Sequence, residues 1–144
     1  MRRLVAILSS VVFLAFSIQA IPSAQATDLN LVGPGGRIHG ADISRWQHPN
    51  DKTIDFMRMH DAGIAFVMIK ASDTRDDADQ LSAKYLKTDR AAAQAAGIYT
   101  GFYHYAILPD KTSPSAITRD AQVQAQKVLW RIASIGGYNE KDLP

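Results

Sequence analysis

The sequence predicts an α/β fold on parallel strands, and three observations carry that prediction. Apolar runs of strand length alternate with segments of helical period, in the order β-α-β-α-β-α. The central run, Ile64-Ala65-Phe66-Val67-Met68-Ile69, has six consecutive apolar residues, the pattern of a parallel strand covered on both faces. Each helical stretch ends at glycine, at Gly63, Gly97 and Gly136-Gly137, where the chain can turn back toward the sheet. Right-handed crossovers join such strands. Periodicity alone leaves both an open doubly wound sheet and a barrel standing.

The elements follow in order. Residues 37–44 form a first strand, RIHGADIS. Residues 54–62 form a short helix, with Asp51 or Thr53 placed to cap its start. Residues 64–69 are the second strand. Residues 79–96 form an Ala-rich helix, and residues 98–105 a third strand rich in aromatics. Residues 115–134 are a third helix. Its apolar positions Ile117, Ala121, Ala125, Val128 and Ile132 recur at helical spacing and predict one buried face. No internal repeat or low-complexity segment interrupts this order.

Residues 1–26 have the three-part pattern of a secretory signal. Arg2 and Arg3 precede an apolar stretch, and Ala24-Gln25-Ala26 supplies a small-x-small cleavage site. The apolar stretch is about 15 residues, short of the ~20 that cross a bilayer. The expected address is therefore secreted, extracellular or cell wall, with no membrane contact after cleavage. Removing this segment takes away two arginines and no acid. The whole-chain count of 16 basic and 14 acidic residues becomes 14 of each. A neutral chain with no basic run argues against nucleic acid or an anionic membrane as partner. An exported chain with no cysteine has no disulfides and depends on its packed core. Residues 27–36 read as a flexible, Gly/Pro-containing lead-in.

In parallel α/β folds, sites form at the C-terminal ends of strands. Asp42, Ser44, Trp46 and Gln47 follow the first strand; Lys70, Ser72 and Asp73 follow the second; Tyr103, His104 and Tyr105 end the third. Carboxylates, hydroxyls and aromatic faces around one mouth suit a carbohydrate, because rings stack on apolar sugar faces and carboxylates serve as hydrogen-bond acceptors, acids or bases. Lys70 is read as the ion-pair partner of a strand-end carboxylate. Asp76, Asp77 and Asp79 are read as a solvated face and helix N-terminal charges. No G-x-G-x-x-G follows the first strand, and no Walker loop or G-x-S-x-G occurs, so nucleotide binding and a serine-hydrolase elbow find no support. The four histidines lack metal-ligand spacing. No metal and no cofactor are expected.

At these residues the chain resembles a known family. Gly40-Ala41-Asp42-Ile43-Ser44-Arg45-Trp46-Gln47, then Ala62-Gly63-Ile64 through Lys70-Ala71-Ser72, then Ala95-Ala96-Gly97 through Gly101-Phe102-Tyr103-His104-Tyr105, resemble three ordered motifs of family 25 glycoside hydrolases, the Chalaropsis-type lysozymes. The resemblance spans residues 37–144. It implies the N-terminal part of a modified, TIM-like β/α barrel. It also implies an N-acetylmuramidase acting on peptidoglycan glycan strands as a monomer. Carried over by position, Asp42 is an active-site carboxylate, and Asp73 stands where the family has Glu. Tyr103 and His104 line the sugar groove; Trp46 and Tyr105, read from their aromatic rings at the strand ends, are further expected substrate contacts.

Two departures qualify that expectation. The family's Lys-Ala-(Thr/Ser)-Glu-Gly reads Lys70-Ala71-Ser72-Asp73-Thr74. Withdrawing a catalytic carboxyl by one methylene costs about a hundredfold in rate, so Asp73 is a weak candidate. The family's Asp-x-Glu pair, ending its fourth strand, occurs nowhere in residues 1–144. The expectation from sequence is a longer protein, with that pair within roughly ten residues after Pro144, because three strands are less than half of an eight-strand barrel. Two other readings stand beside the hydrolase. One is a non-catalytic wall-binding module that kept the groove and lost the acids; the other is an unrelated α/β sugar-binding protein.

Overall fold

The computed structural model describes residues 36–108, 110 and 113–144. The expected signal segment (1–26) and the lead-in up to residue 35 lie outside the described residues. The described chain runs β1 (His39–Ile43), α1 (Phe56–Asp61), β2 (Ile64–Asp73), α2 (Asp76–Ala95), β3 (Tyr99–Tyr105) and α3 (Pro114–Ser134), with two 3-10 turns, Arg45–Gln47 and Pro49–Asp51, between β1 and α1. The strands form one parallel sheet in the order β1-β2-β3. The chain then returns to the free edge of β3. Thr100 makes a parallel bridge to Asp142, with Thr100 N–H donating to Lys141 C=O at 3.0 Å and Leu143 N–H to Thr100 C=O at 2.6 Å. Residues 141–143 therefore lie beside β3 in the direction of a further parallel strand.

Local chemistry places the helix ends. The Asp55 carboxylate accepts from Arg58 N–H at 2.9 Å and caps α1; neither Asp51 nor Thr53 takes that role. Gly63 (φ 89°) and Gly97 (φ 84°) end α1 and α2 in the left-handed region, where a Cβ is costly. α2 starts three residues before its expected first residue. Asp76, Asp77 and Asp79 all fall in its first turn, where negative charge meets the positive end of the helix dipole. Asp79 is not part of a solvated face. It is buried, accepting from Asp73 N–H at 3.0 Å and from the Arg131 guanidinium at 2.5 Å.

The sheet has two unlike faces. Val67, Ile69 and Ala71 of β2, Ile43 of β1 and Ile98 before β3 pack with Phe56, Leu86, Ala93 and Ala96 to form the core. On the opposite face of β2, Phe66, Met68 and Lys70 are only half-buried. The six-residue apolar run is thus covered on one side rather than on both, because α1 and α2 return to the same face. Gly40 and Gly101 flank β2 on the open side. A Cβ at Gly40 would run into the Phe66 ring, and one at Gly101 into the Met68 thioether. The two large side chains of β2 lie across the bare backbones of their neighbours. Gly101→Val is expected to cost about 1–2 kcal/mol by overpacking against Met68, measurable as a lower urea midpoint.

α3 docks by a face that its apolar pattern does not mark. Of the expected stripe only Ile132 is buried; Ile117, Ala121 and Ala125 are exposed. The docked face carries Gln124, Lys127 and Arg131, spaced by three and four. Gln124 Oε1 accepts from the Thr74 hydroxyl at 2.8 Å, Lys127 Nζ donates to Asp73 C=O at 3.1 Å, and Arg131 reaches Asp79. The loops after β2 hold α3 by polar bonds, which a search for hydrophobic periodicity does not register.

Candidate active-site mouth

The candidate residues gather where the open face meets the C-terminal strand ends. Strand register assigns the faces, since paired residues in a parallel sheet point the same way. Gly40 pairs with Phe66 and Asp42 with Met68; Met68 pairs with Gly101 and Lys70 with Tyr103. Asp42, Lys70 and Tyr103 therefore share the open face. Asp42 is exposed. The Tyr103 hydroxyl has its pKa raised, chiefly by burial and then by the negative charges of Asp42 and Asp73. The two residues are thus close enough to feel one another across β2.

Ser44 turns the chain at the end of β1. Its backbone N–H donates to Gln47 Oε1 at 2.7 Å, and its hydroxyl accepts from Trp46 N–H at 3.4 Å, a reciprocal capping box. That turn leaves Trp46 74% exposed, with the Arg45 guanidinium 4.3 Å from its ring centroid. An indole face so presented is a stacking platform.

At the end of β2, Asp73 is held from several sides. Its carboxylate is fully buried, paired with Lys70 and with Arg75. Arg75 contributes its backbone N–H and its Nε, each 3.0 Å from Oδ1, and Nη2, 3.0 Å from Oδ2. Burial pushes the Asp73 pKa up, but the hydrogen bonds from Arg75 and Lys70 outweigh it and hold the carboxyl well below the usual carboxylate range. A carboxyl kept ionised by two cations has no proton to give, so Asp73 is not built as a general acid. Lys70 and Arg75 both lie over the Tyr105 ring, at 4.6 and 5.1 Å from its centroid. Arg75 was not among the residues singled out in the sequence. The available signal was a cation two residues after a strand-end aspartate, where an Asx-type turn brings it back onto the carboxylate.

His104 does not join the mouth. It pairs with Ser72, on the helix-covered side and opposite in parity to Tyr103. Gln124 Nε2 donates to Ile107 C=O and Asp120, which turns its Oε1 toward His104 Nε2 at 2.9 Å. Nε2 is then the protonated nitrogen, and Nδ1 accepts from the Ser72 hydroxyl at 2.8 Å. With both ring nitrogens occupied, His104 ties β3 to β2 and α3 rather than lining a sugar groove. Among the described residues no group of three or more His, Asp or Glu could hold a metal, and no helix is long and apolar enough to cross a membrane.

A parallel α/β sheet with helices on one face, and with a carboxylate, hydroxyls and aromatic rings at its C-terminal mouth, defines a protein of the carbohydrate-active class. The chain belongs to the glycosyl hydrolases family 25, whose family model matches residues 41–134. That stretch begins within β1, takes in β2 and β3, and includes Asp42, Trp46, Asp73 and Tyr103. Membership makes this a glycosidase-family chain with a peptidoglycan-type, cell-wall carbohydrate as its substrate class. Searches of curated proteins and of solved structures returned no match.

Proposed function

We propose that this protein is a secreted lysozyme-type glycosidase, a 1,4-β-N-acetylmuramidase that works on peptidoglycan outside the cytoplasm. The observation that carries the reading is the convergence of Asp42, Ser44 and Tyr103 on the open sheet face, beside the exposed Trp46. Asp42 is the carboxylate available to a glycan, Tyr103 and Ser44 supply hydroxyls, and Trp46 and Tyr105 supply apolar ring faces. The export-type N-terminus supports the address. Sequential parallel strands, helices on one face and a further parallel segment starting at Asp142 support a barrel as the parent architecture.

One observation favours a second reading, a non-catalytic wall-binding module. Asp73 is clamped as an anion, so among the described residues the mouth holds Asp42 without a second carboxyl free to donate a proton. The two readings separate in one experiment on insoluble peptidoglycan, scoring both retention of the chain and release of reducing ends. The 144-residue chain is expected to be retained without releasing product. Trp46→Ala is expected to weaken retention about tenfold, a loss near 1.4 kcal/mol. Product release by this chain would overturn the account of Asp73 as a clamped anion. Absence of retention would remove both readings.

A further inference from the structure

His48 sits between the two 3-10 turns that follow β1, and it is buried, 6% exposed. Its ring stacks on Tyr85 of α2, with centroids 3.9 Å apart and planes 2° from parallel. Both nitrogens face acceptors. Nδ1 lies 2.9 Å from the Lys52 carbonyl and Nε2 lies 2.9 Å from Asp89 Oδ2. A carbonyl can only accept, so Nδ1 carries a hydrogen. The Nε2–Asp89 contact then needs one more proton, on the imidazole or on the carboxyl. Without it, a lone pair faces a buried carboxylate. The proton belongs to the pair, not to either residue.

We infer that the His48–Asp89 pair is a proton-dependent strut that positions the sugar-contacting loop, holding the turn that presents Trp46 against α2. The inference rests on the glycan reading above for the meaning of Trp46, and on contacts alone for the strut. The loop needs such a hold. Asn50 and Asp51 are both in the left-handed region, at φ 55° and 59°, which Asn and Asp tolerate but do not choose unaided. His48 also carries the backbone turn, accepting from Asp51 N–H and donating to Arg45 C=O, both at 3.1 Å. The charged and titratable groups facing it are few. α2 presents Lys84, Tyr85 and Asp89, and the loop presents Asp51, which takes bonds from Lys84 (2.6 Å) and from the Tyr85 hydroxyl. The segment entering α1 lines the pocket beside the pair with Thr53, Ile54 and Phe56, none of them titratable. A pocket of about 340 Å³ lined by these residues opens beside the pair and gives solvent protons a route to it. Burial pushes the Asp89 carboxyl up, against the opposing pull of His48.

As pH rises and the shared proton leaves, the strut breaks and Trp46 loses its fixed position. The test is a pH titration of the full chain by NMR, following the His48 ring nitrogens and the Trp46 indole N–H. Retention on peptidoglycan is measured at the same pH values. The expected result is one common midpoint for His48 and Trp46, with retention about tenfold weaker on the alkaline side, the worth of one stacked aromatic. In Asp89→Asn, the amide can donate to a neutral His48 without a shared proton, so the Trp46 transition should vanish. A Trp46 signal that stays still while the pair loses its proton would overturn the strut, as would a transition that persists in Asp89→Asn. If the variant does not fold, the wild-type midpoints decide alone. Coincident midpoints with no retention at any pH would keep the strut and sink the glycan reading.

Discussion

Arg90→Ala is expected to cost about 3–5 kcal/mol, the range for leaving one member of a buried ion pair alone. Arg90 lies on α2 with its side chain 9% exposed, paired with the fully buried carboxylate of Asp142. Its guanidinium also donates to Ile135 C=O at 3.1 Å and Gly137 C=O at 2.8 Å. Alanine would strand a buried anion and two carbonyls together. Thr100, Gln94 and Asn139 N–H would still reach Asp142, at 2.5, 3.0 and 2.8 Å, which keeps the loss within that range. Lysine should rescue little, because a point charge cannot replace the fork that reaches four oxygens. Burial pushes the Asp142 carboxyl up, but the Thr100 hydroxyl, Arg90 and Asn139 N–H outweigh it, so its pKa is lowered. The pair therefore stabilises fully above the unfolded value near pH 4, and that stabilisation is lost as pH falls through the lower folded value. Urea unfolding should show a deficit for Arg90→Ala that is large at pH 7 and shrinks toward pH 3. A deficit independent of pH would mean that the pair is not its source.

Asp73→Asn is expected to cost about 3 kcal/mol, the low end of the same range, because Arg75 is half exposed and can find water while Lys70, 10% exposed, cannot. The carboxylate also accepts the Arg75 backbone N–H that shapes the turn into α2. Its depressed pKa gives the same sign: stability present above about pH 4 and lost on acidification. The consequence for chemistry is separate and sharper. A residue whose loss unfolds the mouth but never supplies a proton should leave any acid limb in wall binding unchanged once variant and wild type are compared at equal folded fraction. A shifted limb would return Asp73 to the list of proton donors.

These two ion pairs also mark how far the sequence could be read. The alternation of elements and the glycine stops were legible because each rests on local periodicity and on backbone conformations that few residues adopt, whereas β2 runs to Asp73, four residues past its expected end at Ile69. Asp42 and Tyr103 were legible as candidates because strand ends in parallel folds point at sites. What was not legible is the pairing of side chains far apart in the chain. Arg90 with Asp142, Arg131 with Asp79 and His48 with Asp89 join residues 41 to 52 positions apart. Nothing in the local pattern marks which cation answers which acid.

By itself, the sequence determined the α/β order, the single family of motifs that runs through it and a set of candidate residues at the strand ends. Those are properties of spacing and residue type. Only the tertiary structure decided which of them face the same way. One-residue alternation along β3 sends Tyr103 to the open face beside Asp42 and His104 to the helix side, where Ser72 and Gln124 occupy both its nitrogens. It also decided that Arg75 joins Lys70 on Asp73 and clamps it as an anion, because Arg75 folds back onto the carboxylate only once the strand ends and α2 begins. The physical reason is the same in each case: a side chain's chemistry is set by what packs against it, and packing is a property of the fold.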